Sequence, residues 1–385
     1  MKVVDVWGVS PPTVYEHKES VVCVNPDLVI GYELETENCT QSPSIYTKIG
    51  DKTNFGVTVD NSLRGSAYEF ISRPMKSKHA LSALGEFLKQ AGFNVANYTD
   101  RCSVHVHVNC TDLELEQVSA ISLLYTVFEE ILFEFVGHDR DSNIYCVPWN
   151  QCRMHFDLIQ NFLADSNSVL RRWNKYTALN LLPLHTQGTI EFRQMHGTAD
   201  MEKLTTWTNI IGAICKTAVE TPLNDLIAQI KDLNNTSQYE AFFMQTLAGQ
   251  LPYNEVYRMK MEEGVIFAKF TLMNMTEKKV IKPKKASPAP RAEAAIDRAL
   301  DRIGQERPPL VGAWTTSTAV NRFVVPPIEQ LDRIRADEEL RRRMEEVSIR
   351  GLSGSARTRG LRDDGQINLG VAVATQTAPT DTGEW

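Results

Sequence analysis

Alternation of apolar and polar side chains picks out four strands in the first two hundred residues. In GYELETEN (31–38), Tyr32, Leu34 and Thr36 fall on one face and Glu33, Glu35 and Glu37 on the other, because successive strand residues point to opposite sides. In SAYEFISRP (66–74), Tyr68, Phe70 and Ser72 alternate with Glu69, Ile71 and Arg73. CSVHVHVNC (102–110) sets Val104, Val106 and Val108 against Ser103, His105, His107 and Asn109. GTIEFRQMHGT (188–198) sets Ile190 and Phe192 against Glu191 and Arg193.

Helical spacing appears between these strands. SALGEFLKQAG carries Leu84, Phe87 and Leu88 on one side and stops at Gly92, a C-terminal cap signal. TDLELEQVSAISLLYTVFEEILFEFVG predicts a long core helix that opens with a capping box from Thr111 to Glu114 and closes at Gly137. A third helix is predicted from about Asp200 to Pro222. The irregular mixing of short strands and helices predicts an α+β fold rather than a regular βαβ alternation.

The character changes after about residue 275. TEKKVIKPKKASPAPRAE has the lysine, proline and small-residue content of an extended linker, assigned to 276–292. Residues 293–350 carry two amphipathic patches, one built on Ile296, Leu300 and Ile303 and one on Ile328, Leu331, Leu340 and Met344. They predict a helical interaction segment, able to dock a protein partner or a second copy of the chain. Residues 351–385 read as a disordered tail. The catalytic domain is therefore expected within 1–275.

Composition narrows the class. A 42% hydrophobic and 23% charged chain is ordinary for a globular protein with a sizeable core. A net charge of −7 argues against general nucleic-acid binding, leaving a modified base as the one nucleic-acid substrate considered. The seven cysteines are scattered and contain no CxxC, which disfavours a disulfide framework and a thiolate zinc site. The N-terminus lacks a secretory apolar core, and WTNIIGAICKTAV is too short to span a bilayer. A cytoplasmic protein is expected.

The polar faces carry the chemistry. Each strand alone fits a surface washed by water, and Glu-Phe-Arg alone fits a cross-strand ion pair. Together they are restricted to Glu, His, Arg and Asn with small hydroxyls, and none contains lysine. Four glutamates converging on one concave surface would repel unless cations neutralised them. Carboxylates with an imidazole suit Mg²⁺ or Mn²⁺, and such sites commonly hold nucleotide phosphates. No GxxxxGK[ST] loop, kinase-type GxGxxG or GxSxG elbow is present.

The order GYELE, DNSLRGSAYEFISRP, SVHVHVN, KYTALNLLP and GTIEFRQMHGT resembles the amidoligase family, in the glutamine synthetase and glutamate–cysteine ligase superfamily of carboxylate–amine ligases. The resemblance covers residues 28–275. It implies a curved antiparallel sheet, backed by helices, whose concave face holds Mg²⁺ and ATP. It implies metal ligation by Glu33, Glu35, Glu69, His105 and Glu191, with Glu69 also a catalytic candidate. His107 and Asn109 would lie near the nucleotide, and Arg193 would reach the transferred phosphate or the substrate carboxylate. Asp60, Ser62 and Arg64 would approach substrate, as would Lys175 and Asn180; Lys175 stands where the family often has arginine. The implied reaction joins a small-molecule or peptide carboxylate to an amine through an acyl phosphate. A metal-dependent hydrolase, or a partner-binding protein with a degenerate ligase site, are the alternatives. The compact core with its unrelated tail resembles phage-encoded members, which would act in a host cytoplasm.

Overall fold

The computed structural model describes residues 1–60, 62–137, 140–152 and 155–272, and the side chains of all of these except 155–161. The chain divides into two units, Met1–Thr316 and Ser317–Trp385. The second lies wholly outside the described residues, as do the expected linker, helical segment and tail.

Strands β1 (Val29–Thr36), β2 (Phe55–Thr58), β3 (Tyr68–Ser72), β4 (Met75–Lys76), β5 (Val104–Asn109), β6 (Leu179–Asn180) and β7 (Thr189–Phe192) form one sheet. Its order is β2-β3-β1-β5-β7-β6, with β4 paired to β1, and every ladder is antiparallel. The four strands read from alternation are the four central members of that order. They were the legible ones because each has a sustained period of two. β2, as long as β7, has no charged side chain alternating with its apolar ones, and β4 and β6 have two residues each.

The apolar face packs on helices α3 (Ser77–Ala91), α4 (Leu115–Val136) and α6 (Met201–Glu220). Phe70 meets Phe87 of α3 at a ring separation of 5.0 Å. Phe192 meets Tyr125 of α4 at 6.1 Å and Trp207 of α6 at 6.5 Å. Tyr32 is fully buried, and its phenol is held by Thr208 of α6 at 2.7 Å. These side chains exclude water from one side of every site strand and fix the pleat, which fixes where the opposite side chains point.

Gly92 ends α3 in the left-handed region at φ 69°, as expected of that cap. The start of α4 differs from the sequence reading. Val4 donates its N–H to Thr111 O at 3.0 Å, and Val3 donates to Leu113 O at 2.9 Å. Residues 111–113 are therefore occupied in carrying the N-terminal segment. Helix α4 starts at Leu115, and its box is formed by Gln117 accepting from Glu114 N at 2.9 Å. Thr111 instead donates its hydroxyl to Asn109.

The remaining helices are α1 (Val3–Trp7), α2 (Pro43–Thr53), α5 (His155–Arg171), α7 (Leu223–Asp232), α8 (Thr236–Thr246) and α9 (Glu255–Leu272). α9 crosses α4 at Gly264, where an added Cβ would lie 1.9 Å from Val127 O. Among the described residues no helix is long and apolar enough to cross a membrane, and all seven cysteines are free thiols.

One buried acid on α4 belongs to the scaffold. Glu129 accepts from Trp149 N at 2.7 Å, Asn150 N at 3.3 Å and the Tyr125 hydroxyl at 3.0 Å. Burial pushes its carboxyl up to about 8, against those hydrogen bonds. Between the ordinary carboxylate range and pH 8 the folded chain keeps this proton and the unfolded chain loses it. Stability from this group is present at acid pH and falls as pH rises toward 8. The Tm of Glu129→Gln minus that of wild type is expected to increase from pH 5 to pH 8.5. A difference that does not change with pH would mean that Glu129 is ionised in the fold.

Candidate active site

Three rows of side chains cross the polar face of the sheet. In the first, β1 Gly31 is followed by His107, Glu191 and Asn180 on β5, β7 and β6. In the second, Ile71, Glu33 and His105 are in register, and Arg193 follows just past the end of β7. In the third, Thr58 of β2, Glu69 and Glu35 are in register, and Glu35 N donates to Ser103 O. The face is not washed by water: Glu33, Glu35, Glu69, His105, His107 and Glu191 are each at most 6% exposed. This removes the solvent-facing explanation of the alternation.

Two sets of three ligand atoms lie on this face, each set within 4.8 Å: Glu33, His107 and Glu191, and Glu35, Asp60 and Glu69. Around the first set, His107 Nε2 is 3.1 Å from Glu33 Oε1. His105 Nδ1 is 3.2 Å from both Glu33 Oε2 and Glu191 Oε1. Asn180 donates to Glu191 Oε2 at 2.7 Å, and Arg193 pairs with Glu191 Oε1. Around the second set, Ser103 N donates to Glu35 Oε2 at 2.9 Å. Asp60 is held in its loop by Ser62 N at 2.7 Å.

The two sets differ electrostatically. Burial pushes Glu33 up, but His107 and His105 together outweigh it and hold its carboxyl below the usual range. Glu191 is likewise raised by burial and brought below its ordinary value by Arg193, His107 and His105. His107 is lowered by burial and raised on balance by Glu33. Glu69 has the opposite fate: burial first, then Glu33, Glu35, Asp60 and Glu191, push its carboxyl well above the usual range. The second set is thus an arrangement of like charges that a divalent cation would relieve. In the first set Glu33 Oε1 is buried with His107 Nε2 3.1 Å away. The donor set of carboxylates and one imidazole suits Mg²⁺ or Mn²⁺, so the residues fit the ions implied by the sequence.

The structure brings together Glu33, Glu35, Glu69, His105, His107, Glu191, Arg193 and Asn180. It moves Asp60 from the expected substrate loop into the second carboxylate set. It places His107, rather than His105, in the first three-ligand set. Ser62 adjoins the site through its backbone, and Arg101 donates to its carbonyl at 2.7 Å. Three expected residues stand apart from both sets. Asn109 spends its carbonyl oxygen on Thr111. Arg64 has an exposed side chain, while its N–H donates to Glu37 Oε1 at 2.6 Å. Lys175 is exposed and stacks its ammonium 4.8 Å above the Tyr176 ring. Glu37, the third acid of the first strand motif, lies past the end of β1 and is used by Arg64 N and the Thr99 hydroxyl.

Four supporting groups were not singled out from sequence. Thr189 contacts His107 Nδ1 at 3.0 Å, and Ser103 lies 2.8 Å from His105 Nε2. Alternation already sets Ser103 on the polar face and would set Thr189 there too, since each sits two residues from a site residue. Arg140, 2% exposed, donates to the carbonyls of Gln194 and Arg193, both at 3.0 Å. Tyr145 O accepts from Arg193 Nε at 3.3 Å. These last two come from a loop whose approach no local pattern announces.

Residues 47–215 match the family model described as "Putative amidoligase enzyme". The match supports a ligase enzyme. It contains Asp60, Glu69, His105, His107, Glu191 and Arg193, while Glu33 and Glu35 on β1 precede it. The sheet register nevertheless inserts β1 between two matched strands, β3 and β5. The amidoligase-like segment therefore cannot complete its polar face without the preceding strand. No curated protein matches the chain.

Proposed function

We propose that the protein is an ATP-dependent carboxylate–amine ligase with a glutamine-synthetase-like sheet, forming an amide or isopeptide bond through an acyl phosphate. The reading is carried by the two adjacent three-ligand sets on one buried sheet face, with Arg193 beside the first. The family match supports the reaction class.

A carboxylate resists direct attack by an amine because oxide is a poor leaving group. A carboxylate oxygen of the acid substrate attacks the γ-phosphorus of ATP, and ADP leaves. The amine then forms a C–N bond at the acyl carbon, and inorganic phosphate leaves with the electron pair of the broken C–O bond. Mg²⁺ or Mn²⁺, when bound, supplies the positive charge that binds nucleotide phosphates and neutralises the transferring group.

The chain's own residues do the rest. Glu33, His107 and Glu191 would hold one ion, with His105 against the same carboxylates; Glu35, Asp60 and Glu69 would hold a second. Arg193 is kept charged by Glu191, Glu35 and Glu33, although burial opposes this. Its guanidinium orients toward developing phosphoryl charge. Arg140 and Tyr145 hold the Arg193 backbone and side chain in place. Asn180 fixes the Glu191 carboxylate so that its other oxygen faces the site. Glu69 or Asp60, whichever leaves the ion, would take the amine proton. Seven free thiols suit a reducing compartment, in keeping with a cytoplasmic enzyme.

Calorimetric titration of the full chain with ATP tests this directly. Binding is expected in the presence of Mg²⁺ and is expected to vanish in EDTA. Equal affinity in the two conditions would remove the site described here.

A further inference from the structure

The two ligand sets are separate, yet one hydroxyl touches a member of the second and the histidine that faces two members of the first. Ser103 is 4% exposed and immediately precedes β5. Its Oγ donates to Glu35 Oε2, and its backbone N–H donates to the same oxygen at 2.9 Å. On its other side, Ser103 Oγ lies 2.8 Å from His105 Nε2. Glu35 belongs to the set with Asp60 and Glu69. His105 Nδ1 faces Glu33 and Glu191, two members of the other set, at 3.2 Å each.

A serine hydroxyl has one hydrogen to give and two lone pairs to accept with. Toward Glu35 Oε2 the Ser103 hydroxyl is the donor, so its hydrogen goes to Glu35. Ser103 Oγ is then the acceptor toward His105, and Nε2 carries the ring hydrogen that meets it. That choice leaves Nδ1 as the nitrogen turned toward Glu33 and Glu191. On the other side, two donors from one residue hold Glu35 Oε2. The carboxylate is thereby locked with Oε1 left for the set it shares with Asp60 and Glu69. The chain Glu35–Ser103–His105–Glu33/Glu191 is continuous in hydrogen-bonding and ion-pair distances.

We infer that Ser103 is a positioning residue that orients Glu35 in one cation site and, through His105, the Glu33 and Glu191 carboxylates of the other, so that the two sites strengthen and weaken together. The inference rests on the two-cation reading given above. It assigns to a neutral hydroxyl the task of making one unit out of two sets of ligands. Groups that orient metal ligands in this way typically change metal affinity by about 10- to 100-fold.

The test is a Mn²⁺ titration of full-length, metal-free protein, with free Mn²⁺ followed by electron paramagnetic resonance. Wild type is expected to bind two ions. Ser103→Ala is expected to weaken both by about 10- to 100-fold, and Ser103→Thr, which keeps the hydroxyl, is expected to restore both. A second readout uses ¹⁵N-histidine in the Mg²⁺-loaded protein. His105 Nε2 should give the shift of a protonated nitrogen in wild type and Ser103→Thr, and lose it in Ser103→Ala. Unchanged affinities in Ser103→Ala overturn the inference, as does weakening of one ion alone. An unchanged His105 spectrum in Ser103→Ala overturns it also. A wild-type protein that takes up no Mn²⁺ would remove the cation reading itself, and this inference with it.

Discussion

Replacing Glu69 by glutamine is expected to raise the thermal stability of the metal-free protein while abolishing most of its metal-dependent ADP formation. The two effects have one cause. Glu69 sits 5% exposed among Glu35 and Asp60, and burial and its neighbours disfavour its charge. A neutral amide of the same shape removes that repulsion. It also removes a carboxylate oxygen from the second set, and with it the charge that would attract a cation. The activity loss should be on the order of 10²–10³-fold, the scale of losing one preorganised electrostatic group at a reacting centre. The Tm gained on adding Mg²⁺ should shrink in parallel.

Glu191→Gln is the instructive contrast. Activity should fall by a similar factor, but the apoprotein should lose stability, because Arg193 and the two histidines lose a paired carboxylate. A buried pair broken on one side costs about 3–5 kcal/mol, and the low end applies because Glu33 and Glu35 remain near the guanidinium. Melting curves with and without Mg²⁺, paired with an ADP assay, separate the cases. A Glu69→Gln protein with normal turnover would strike Glu69 from the catalytic machinery. One that is less stable without metal would show that its carboxylate supports the fold.

A second large effect on stability is expected at a residue far from the chemistry. Gly264 lets α9 lie against α4, and an added Cβ would fall 1.9 Å from Val127 O and 2.8 Å from Val127 C. Both atoms are main chain in the middle of α4, so no rotamer change can make room. The helices must separate, and α4 carries Tyr125 and Phe128, which pack under the sheet and against α8. Overpacking of this kind costs about 1–3 kcal/mol or more. Gly264→Ala should therefore lower Tm by several degrees and Gly264→Val by more, on a scale of roughly 2–4 °C per kcal/mol for a domain of this size. A Gly264→Val protein melting within a degree of wild type would show that the two helices can part without cost.

Much of the site could be read from sequence because its residues lie on strands whose opposite face is mostly apolar and buried. Val104, Val106 and Val108 announce the strand, and the alternation then delivers His105 and His107 to the other side without further information. The same logic carried Glu33, Glu35, Glu69 and Glu191. What stayed illegible depends on contacts between distant segments. Thr111 looks like a helix cap until the backbone of Val3 and Val4 claims its turn. Arg140 looks like any loop arginine until it is buried against the carbonyls of Arg193 and Gln194. Asp60 was legible as an approach-loop residue but not as a partner of Glu35 and Glu69, since a loop has no period to give its direction. The choice between His105 and His107 could not come from alternation either, because both share one face. In register, His107 is opposite Glu191 and His105 is opposite Glu33, so each histidine faces one acid of the first set.

The order of strands in the sheet also bears on how the protein comes into being. Glu35, Asp60 and Glu69 lie on or beside β1, β2 and β3, which are neighbours both in the chain and in the sheet. Glu33, His107 and Glu191 are drawn from strands scattered along most of the described chain. A nascent polypeptide can close the first of these clusters soon after residue 72 has emerged. The other must wait for β7, about 120 residues later, or on the order of ten seconds at ordinary translation rates. Through that interval β1 has an open edge awaiting β5, and its acids face a half-built surface.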